Sequence, residues 1–114
     1  MSDQPELPVE VDVTTVDAMR QQGESFVLLD VREENEYEIA RIEGSLLIPM
    51  SQLRIRLTEL EPHQQSRIIV HCHHGGRSMQ VTQALRDQGF TSVQNMAGGI
   101  DDWSLQIDSE VARY

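Results

Sequence analysis

The chain has 114 residues, enough for one modest hydrophobic core and too few for two ordinary domains, so a single domain over 1–114 is expected. Its formal net charge is −10 and its nine cationic side chains are all Arg, which argues against nucleic acid or an anionic membrane as the main partner and, without Lys, against Schiff-base chemistry. One cysteine forms no internal disulfide, the first ten residues carry no basic stretch leading into an apolar one, and no apolar run approaches membrane-spanning length; a cytoplasmic protein is expected.

Residues Met1–Pro8 are polar and carry two prolines, which predicts a loose end. Val9, Val11 and Val13 alternate with Glu10 and Asp12, the period of a short strand with one wet face, its direction left open. Thr14 or Thr15 is placed to cap a helix running to about Gln22, which Gly23 ends. The unbroken apolar run Phe26–Leu29, closed by Asp30, belongs to a strand covered on both faces, as in parallel sheets. A short acidic helical stretch, Glu33–Ile39, follows. Arg32 and Glu36 are spaced for an i,i+4 pair, and Glu33-Glu34-Asn35-Glu36 reads as a solvated face. Gly44 breaks the chain, Leu46–Ile48 predicts a third strand stopped by Pro49, and Ser51 is placed to cap a helix with Leu53, Leu57 and Leu60 on one face, ended by Glu61-Pro62.

Arg67–His71 is a second β-branched apolar run, and Ser78–Asp87 has helical spacing, with Gly89 placed to stop it. Thr91–Gln94 predicts a last strand, Gly98-Gly99 a turn, and Ile100–Leu105 a final helix anchored in the core by Trp103; Ser109–Tyr114 carries no assignable pattern. Strands alternating with helices define an α/β protein: a small, mostly parallel sheet of about five strands flanked by helices. If the strands ending at Asp30 and His71 run parallel, Asp30 and Cys72 emerge at one edge, where such sheets place their sites. Asp30 reads as a structural acceptor for loop amides rather than a general base.

The chemistry concentrates in Cys72-His73-His74-Gly75-Gly76-Arg77-Ser78, between a strand and a helix start. A thiol there looks into unpaired backbone N–H groups and the positive end of the helix dipole, which favour thiolate, the reactive form. Gly75 and Gly76 let the backbone curl so that several amides point at one anionic centre, and Arg77 adds a permanent positive charge. His73 and His74 line the entrance.

With these motifs in view the chain resembles the rhodanese family, in particular its single-domain sulfurtransferases. Leu29-Asp30-Val31-Arg32 with Glu36-Tyr37 is similar to that family's first signature, and Ile42-Glu43-Gly44-Ser45 through Ile48-Pro49 to its continuation. Cys72 to Ser78 resembles the active-site loop, and Ala97-Gly98-Gly99 with Trp103 the closing motif. One departure is Ala40-Arg41, where the family usually has Gly-His. The resemblance implies a three-layer rhodanese-like fold, no cofactor, and a Cys72 that takes a sulfane sulfur from a small anionic donor such as thiosulfate, holds it as a persulfide and passes it to cyanide or a thiol, that of a protein included. His73, His74, Gly75, Gly76, Arg77 and Ser78 would then bind substrate and persulfide, with Asp30 and Arg32 supporting the loop. Arg77 has two open roles: orienting the anionic donor or bracing the loop against a carboxylate.

Three other readings compete. Cysteine phosphatases and arsenate reductases also cradle an oxyanion, but their loops hold one residue more than the four between Cys72 and Arg77, and a tighter ring suits one sulfur atom. A metal site is suggested by His71, Cys72, His73 and His74 with His63 nearby, yet consecutive residues cannot all turn toward one tetrahedral ion. A regulatory or sulfur-relay module that docks a protein would share the fold.

Overall fold

The computed structural model describes residues 7–114. The loose end expected over Met1–Pro8 lies outside the described residues as far as residue 6. The carbonyls of Leu7 and Pro8 accept hydrogen bonds from Arg86 Nη2 and Gln94 Nε2, respectively.

Five strands form one parallel sheet: β1 (Glu10–Val11), β2 (Val27–Asp30), β3 (Leu46–Leu47), β4 (Arg67–His71) and β5 (Ser92–Met96), in the order β1-β5-β4-β2-β3. The helices are α1 (Val13–Gln21), α2 (Glu34–Ile39), α3 (Leu53–Arg56), α4 (Gly76–Asp87) and α5 (Gly99–Gln106). Alternate strand residues feed two cores, so the central strands β2 and β4 read as mainly apolar runs. Leu29, Ile68, Val70 and Val93 pack with Val81 and Leu85 of α4 on one face. Leu28, Ile69 and Met96 pack with Val13, Val16 and Met19 of α1 and with Ile100 and Trp103 of α5 on the other.

Several local expectations are corrected. The first strand ends at Val11, because Asp12 caps α1, its Oδ1 accepting the Thr15 N–H at 2.8 Å. An earlier side-chain acceptor therefore displaces Thr14 and Thr15 from the cap. The Ser51-capped helix is instead a chain of short turns: 3₁₀ pieces at Met50–Gln52, Leu57–Glu59 and Glu61–His63 around the four residues of α3. Ser51 Oγ donates to Glu33 Oε1 rather than to a helix end, and the Arg56–Glu59 pair, three residues apart and 2.7 Å long, matches the tighter 3₁₀ repeat. Helix α4 starts two residues before Ser78, the chain turning at Gly75, and β5 runs on to Met96.

The register Asp30↔His71 brings Asp30 and the start of the cysteine loop to one sheet edge. Arg32 does not pair with the Glu36 carboxylate. Both it and Asp30 are fully buried, and its guanidinium joins the Asp30 carboxylate at 2.7 Å while its backbone N–H reaches Asp30 Oδ1 at 3.0 Å. Its other donors go to the carbonyls of Ala40 and Glu36 and to the Tyr114 hydroxyl. A buried cation needs every one of these acceptors, and a lone surface carboxylate would leave most of its donors unmet. Ala40 is extended (φ −157°), so the departure Ala40-Arg41 needs no glycine there; Arg41 lies over the Tyr37 ring and near Glu43.

His71 is fully buried, its two ring nitrogens without hydrogen-bond partners among the described residues and Nε2 4.0 Å from Asp30 Oδ2. Burial pushes its pKa down to about 4 from 6.5, so the folded protein holds it neutral while an unfolded chain protonates it near the ordinary value. The unfolded state then binds more protons between these limits, and acid destabilises the fold across that window. Unfolding free energy measured from pH 7 to pH 4 is expected to fall by on the order of 1 kcal/mol per pH unit from this residue, and His71→Phe is expected to flatten that slope.

Candidate active site

The loop leaving β4 carries Cys72 at its start, and Gly75 turns it into α4 with φ 119°, a conformation open to glycine and costly for other residues. This turn aims two amides inward. The Gly75 N–H reaches Cys72 Sγ at 3.1 Å and the Ser78 N–H reaches it at 3.3 Å, with Ser78 Oγ also 3.3 Å away. Gly76 is exposed and has no positive φ, so Gly75 alone supplies the curl. Cys72 is buried, packed on the first core along one side and faced by these polar groups on the other. Two amides at one sulfur stabilise negative charge there.

The Gly98-Gly99 turn clamps the loop from behind. Ile100 N–H donates to the Cys72 carbonyl at 2.9 Å and Asp101 N–H to the His73 carbonyl at 3.1 Å. A Cβ on Gly99, which has φ 61°, would stand 2.5 Å from both carbonyl oxygens. The first turn of α5 thereby fixes where Cys72 points.

Arg77 grips Glu36 with both guanidinium arms, at 2.6 and 2.9 Å. That pairing raises the Arg77 pKa and, together with the Tyr114 hydroxyl, holds the Glu36 carboxyl down at about 2. Glu36, expected on a solvated face, is thus tied to the loop. Tyr114, in the stretch left unassigned, donates to Glu36 Oε2 at 2.7 Å and accepts from Arg32 Nη1 at 3.0 Å. Burial, with the neighbouring carboxylate, pushes its hydroxyl up to about 12. Its ring stacks on His73, centroids 4.0 Å apart, and His74 stacks on the same imidazole at 4.0 Å. Burial and the neighbouring ring lower the His73 pKa. His74 is exposed, with Nδ1 3.9 Å from Asp101.

Asn95 completes the site from β5, accepting a hydrogen bond from Ser78 Oγ and donating to Glu10 Oε2 and to the Gly75 carbonyl, both at 3.2 Å. The residues missed from sequence are therefore Glu36, Tyr114, Asn95 and Glu10. For Asn95 a signal existed: a polar side chain inside a strand expected to be buried. Tyr114 had none, since its contacts join residues 41 to 82 positions apart. Among the described residues no group of three His, Cys, Asp or Glu side chains is placed to hold a metal ion, and no helix is long and apolar enough to cross a membrane.

Comparison with known proteins bears on this geometry. The chain is 41% identical over 91 residues to Rhodanese-like/PpiC domain-containing protein 12, chloroplastic, of Arabidopsis thaliana, covering 76% of this chain and 30% of that one. It is 36% identical over 97 residues to the maize Adenylyltransferase and sulfurtransferase MOCS3-1, covering 81% and 21%. The chain thus spans under a third of the length of these relatives. Among solved structures, the human single-domain sulfurtransferase TSTD1 superposes with a TM-score of 0.76 at 25% identity, over 88% of this chain and 98% of that one. A thiosulfate sulfurtransferase of Pseudomonas aeruginosa gives 0.75 at 31%, over 84% and 18%. The family model for the Rhodanese-like domain matches residues 12–106, which take in every strand but the first, all five helices and the whole cysteine loop: the chain belongs to the rhodanese-like domain family.

Proposed function

We propose that the protein is a sulfurtransferase that carries a sulfane sulfur from thiosulfate or a related small anionic donor to cyanide or a thiol through a persulfide on Cys72. One observation carries this reading: the amides of Gly75 and Ser78 converge on a lone buried Sγ at the start of α4. The Cys72 thiolate attacks the outer sulfur of thiosulfate, the S–S bond of the donor breaks, and sulfite leaves with the electron pair. The product, Cys72–S–S⁻, keeps its charge on the terminal sulfur, where loop amides stabilise it. Cyanide carbon then attacks that sulfur, the Sγ–S bond breaks, and thiocyanate leaves as the thiolate returns. His73 and His74 line the approach without moving a proton, since no step requires one.

For Arg77 we assign bracing rather than donor binding, because its guanidinium is spent on Glu36. A second reading, a sulfur-relay or regulatory module serving a protein acceptor, is supported by the small share this chain covers of the maize protein, whose name joins sulfurtransferase to adenylyltransferase. Both readings use the persulfide, and the acceptor separates them. The compartment we propose is the cytoplasm, where a lone thiol stays reduced; one relative is chloroplastic by name, so the domain is not tied to that compartment.

Exposure to thiosulfate is expected to add one sulfur to the intact protein by mass, removed by a reductant, and Cys72→Ser is expected to lower thiocyanate formation by at least about a thousandfold with the fold retained. Activity surviving that change refutes the nucleophile; turnover with a protein acceptor alone selects the relay reading. Arg77→Ala is expected to lower kcat/KM about tenfold for anionic and neutral donors alike, and a loss confined to anionic donors overturns the bracing role. The Glu36 carboxyl is held at about 2 against an ordinary 4.5, so its stabilising contribution is complete above the ordinary value and disappears as pH falls through the lower one. The excess stability of the native chain over Glu36→Gln, measured by thermal unfolding, is expected to shrink across that interval.

A further inference from the structure

We infer that Asn95 is a positioning residue that turns the Ser78 hydroxyl proton away from Cys72, so that Ser78 Oγ accepts the thiol proton in the resting enzyme and withholds its own hydrogen bond from the thiolate. The inference rests on Cys72 being the reactive thiol of the proposed sulfur transfer. It follows from counting donors and acceptors around a buried amide.

Asn95 is buried on β5, and its side chain meets three oxygens. Two of them, the Glu10 carboxylate and the Gly75 carbonyl, only accept, and both lie 3.2 Å from the same amide atom. That atom must be Nδ2, because the carbonyl end of the amide would face two acceptors there. The orientation of the amide is thereby set, and Oδ1 faces Ser78 Oγ. A hydroxyl has one proton, and a buried carbonyl oxygen facing it leaves that proton one destination. Ser78 therefore donates to Asn95, and what it presents to Sγ, 3.3 Å away, is a lone pair. The thiol S–H donates to that lone pair. When the proton leaves to solvent, the sulfur keeps its two amide donors but meets an oxygen lone pair on the third side, unless the hydroxyl rotates and abandons Asn95.

The other groups acting on the sulfur sit elsewhere. Arg77 interacts electrostatically with Cys72 and is held by Glu36, and His73, lowered in pKa by burial, sits against Tyr114. Among the described residues, the Asn95 side chain hydrogen-bonds to Ser78, Glu10 and Gly75 and to none of these groups. The result is a restrained nucleophile: a persulfide, whose charge sits one atom farther out, escapes the opposing lone pair, so the arrangement favours the loaded state over the bare thiolate.

Iodoacetamide alkylation of Cys72, followed against pH by intact mass, tests this without any sulfur donor, so its outcome is independent of whether sulfur transfer is the activity. Asn95→Ala frees the Ser78 hydroxyl to donate to the thiolate, and is expected to move the alkylation midpoint to lower pH, speeding the reaction below the midpoint by about tenfold. In a Ser78→Ala background the same change is expected to do nothing, because the hydroxyl it releases is gone. Glu10 is exposed, so Glu10→Gln, which loosens the amide with little risk to the fold, is expected to move the midpoint the same way by a smaller step and keeps the test available should Asn95→Ala not fold. A midpoint that rises or stays in place in the folded variants, or a shift that persists without Ser78, overturns the inference.

Discussion

The proposed chemistry of this molecule depends on two backbone N–H groups meeting one sulfur. Amides have fixed directions, so the meeting requires the loop backbone itself to be held, and it is held from three sides. Gly75 turns the chain in a left-handed conformation, Gly99 lets α5 approach closely enough to bind the Cys72 and His73 carbonyls, and Arg77 ties the far end of the loop to Glu36. The clamp at Gly99 is the least forgiving of the three, since a single added carbon would collide with two carbonyl groups at once.

The electrostatics follow from the same geometry. The chain carries an excess of acid, and its one loop cation is already matched by a carboxylate, so the positive field at the sulfur comes from peptide dipoles rather than from a free side chain. Dipoles of this kind need no counterion and do not reorganise as charge develops, which is what the proposed transfer of one anionic sulfur would require. The Asp30–Arg32 pair plays a different part. Fully buried, it joins the end of β2 to Ala40 and the Glu36 backbone and so sets the platform from which α2 presents Glu36.

The parallel sheet, its two apolar faces and the strand–loop–helix around Cys72 were legible in sequence because each is a local pattern. Phe26–Asp30 and Arg67–His71 announce buried strands by unbroken apolar character, and a cysteine followed by two glycines and an arginine announces a curled loop. What was not legible depended on competition between partners distant in sequence. Arg32 has Glu36 at helical spacing, yet Asp30 wins it, because burial makes the carboxylate on the adjacent strand end the stronger partner. Glu36, released, becomes the partner of Arg77, and Tyr114 joins it from a stretch with no periodicity at all. The 3₁₀ character of residues 50–63 was hidden for another reason: Leu53, Leu57 and Leu60 satisfy a helical face and a sequence of tight turns almost equally well.

The sheet has one further property, and it concerns what the protein avoids. Both of its borders are formed by β1 and β3, each only two residues long, while the longer β2, β4 and β5 lie inside with neighbours on either side. Among the described residues, a foreign strand seeking an open row of peptide groups finds only these short borders, and Glu10 adds a charge to one of them. Short rims of this kind leave another strand little length along which to pair.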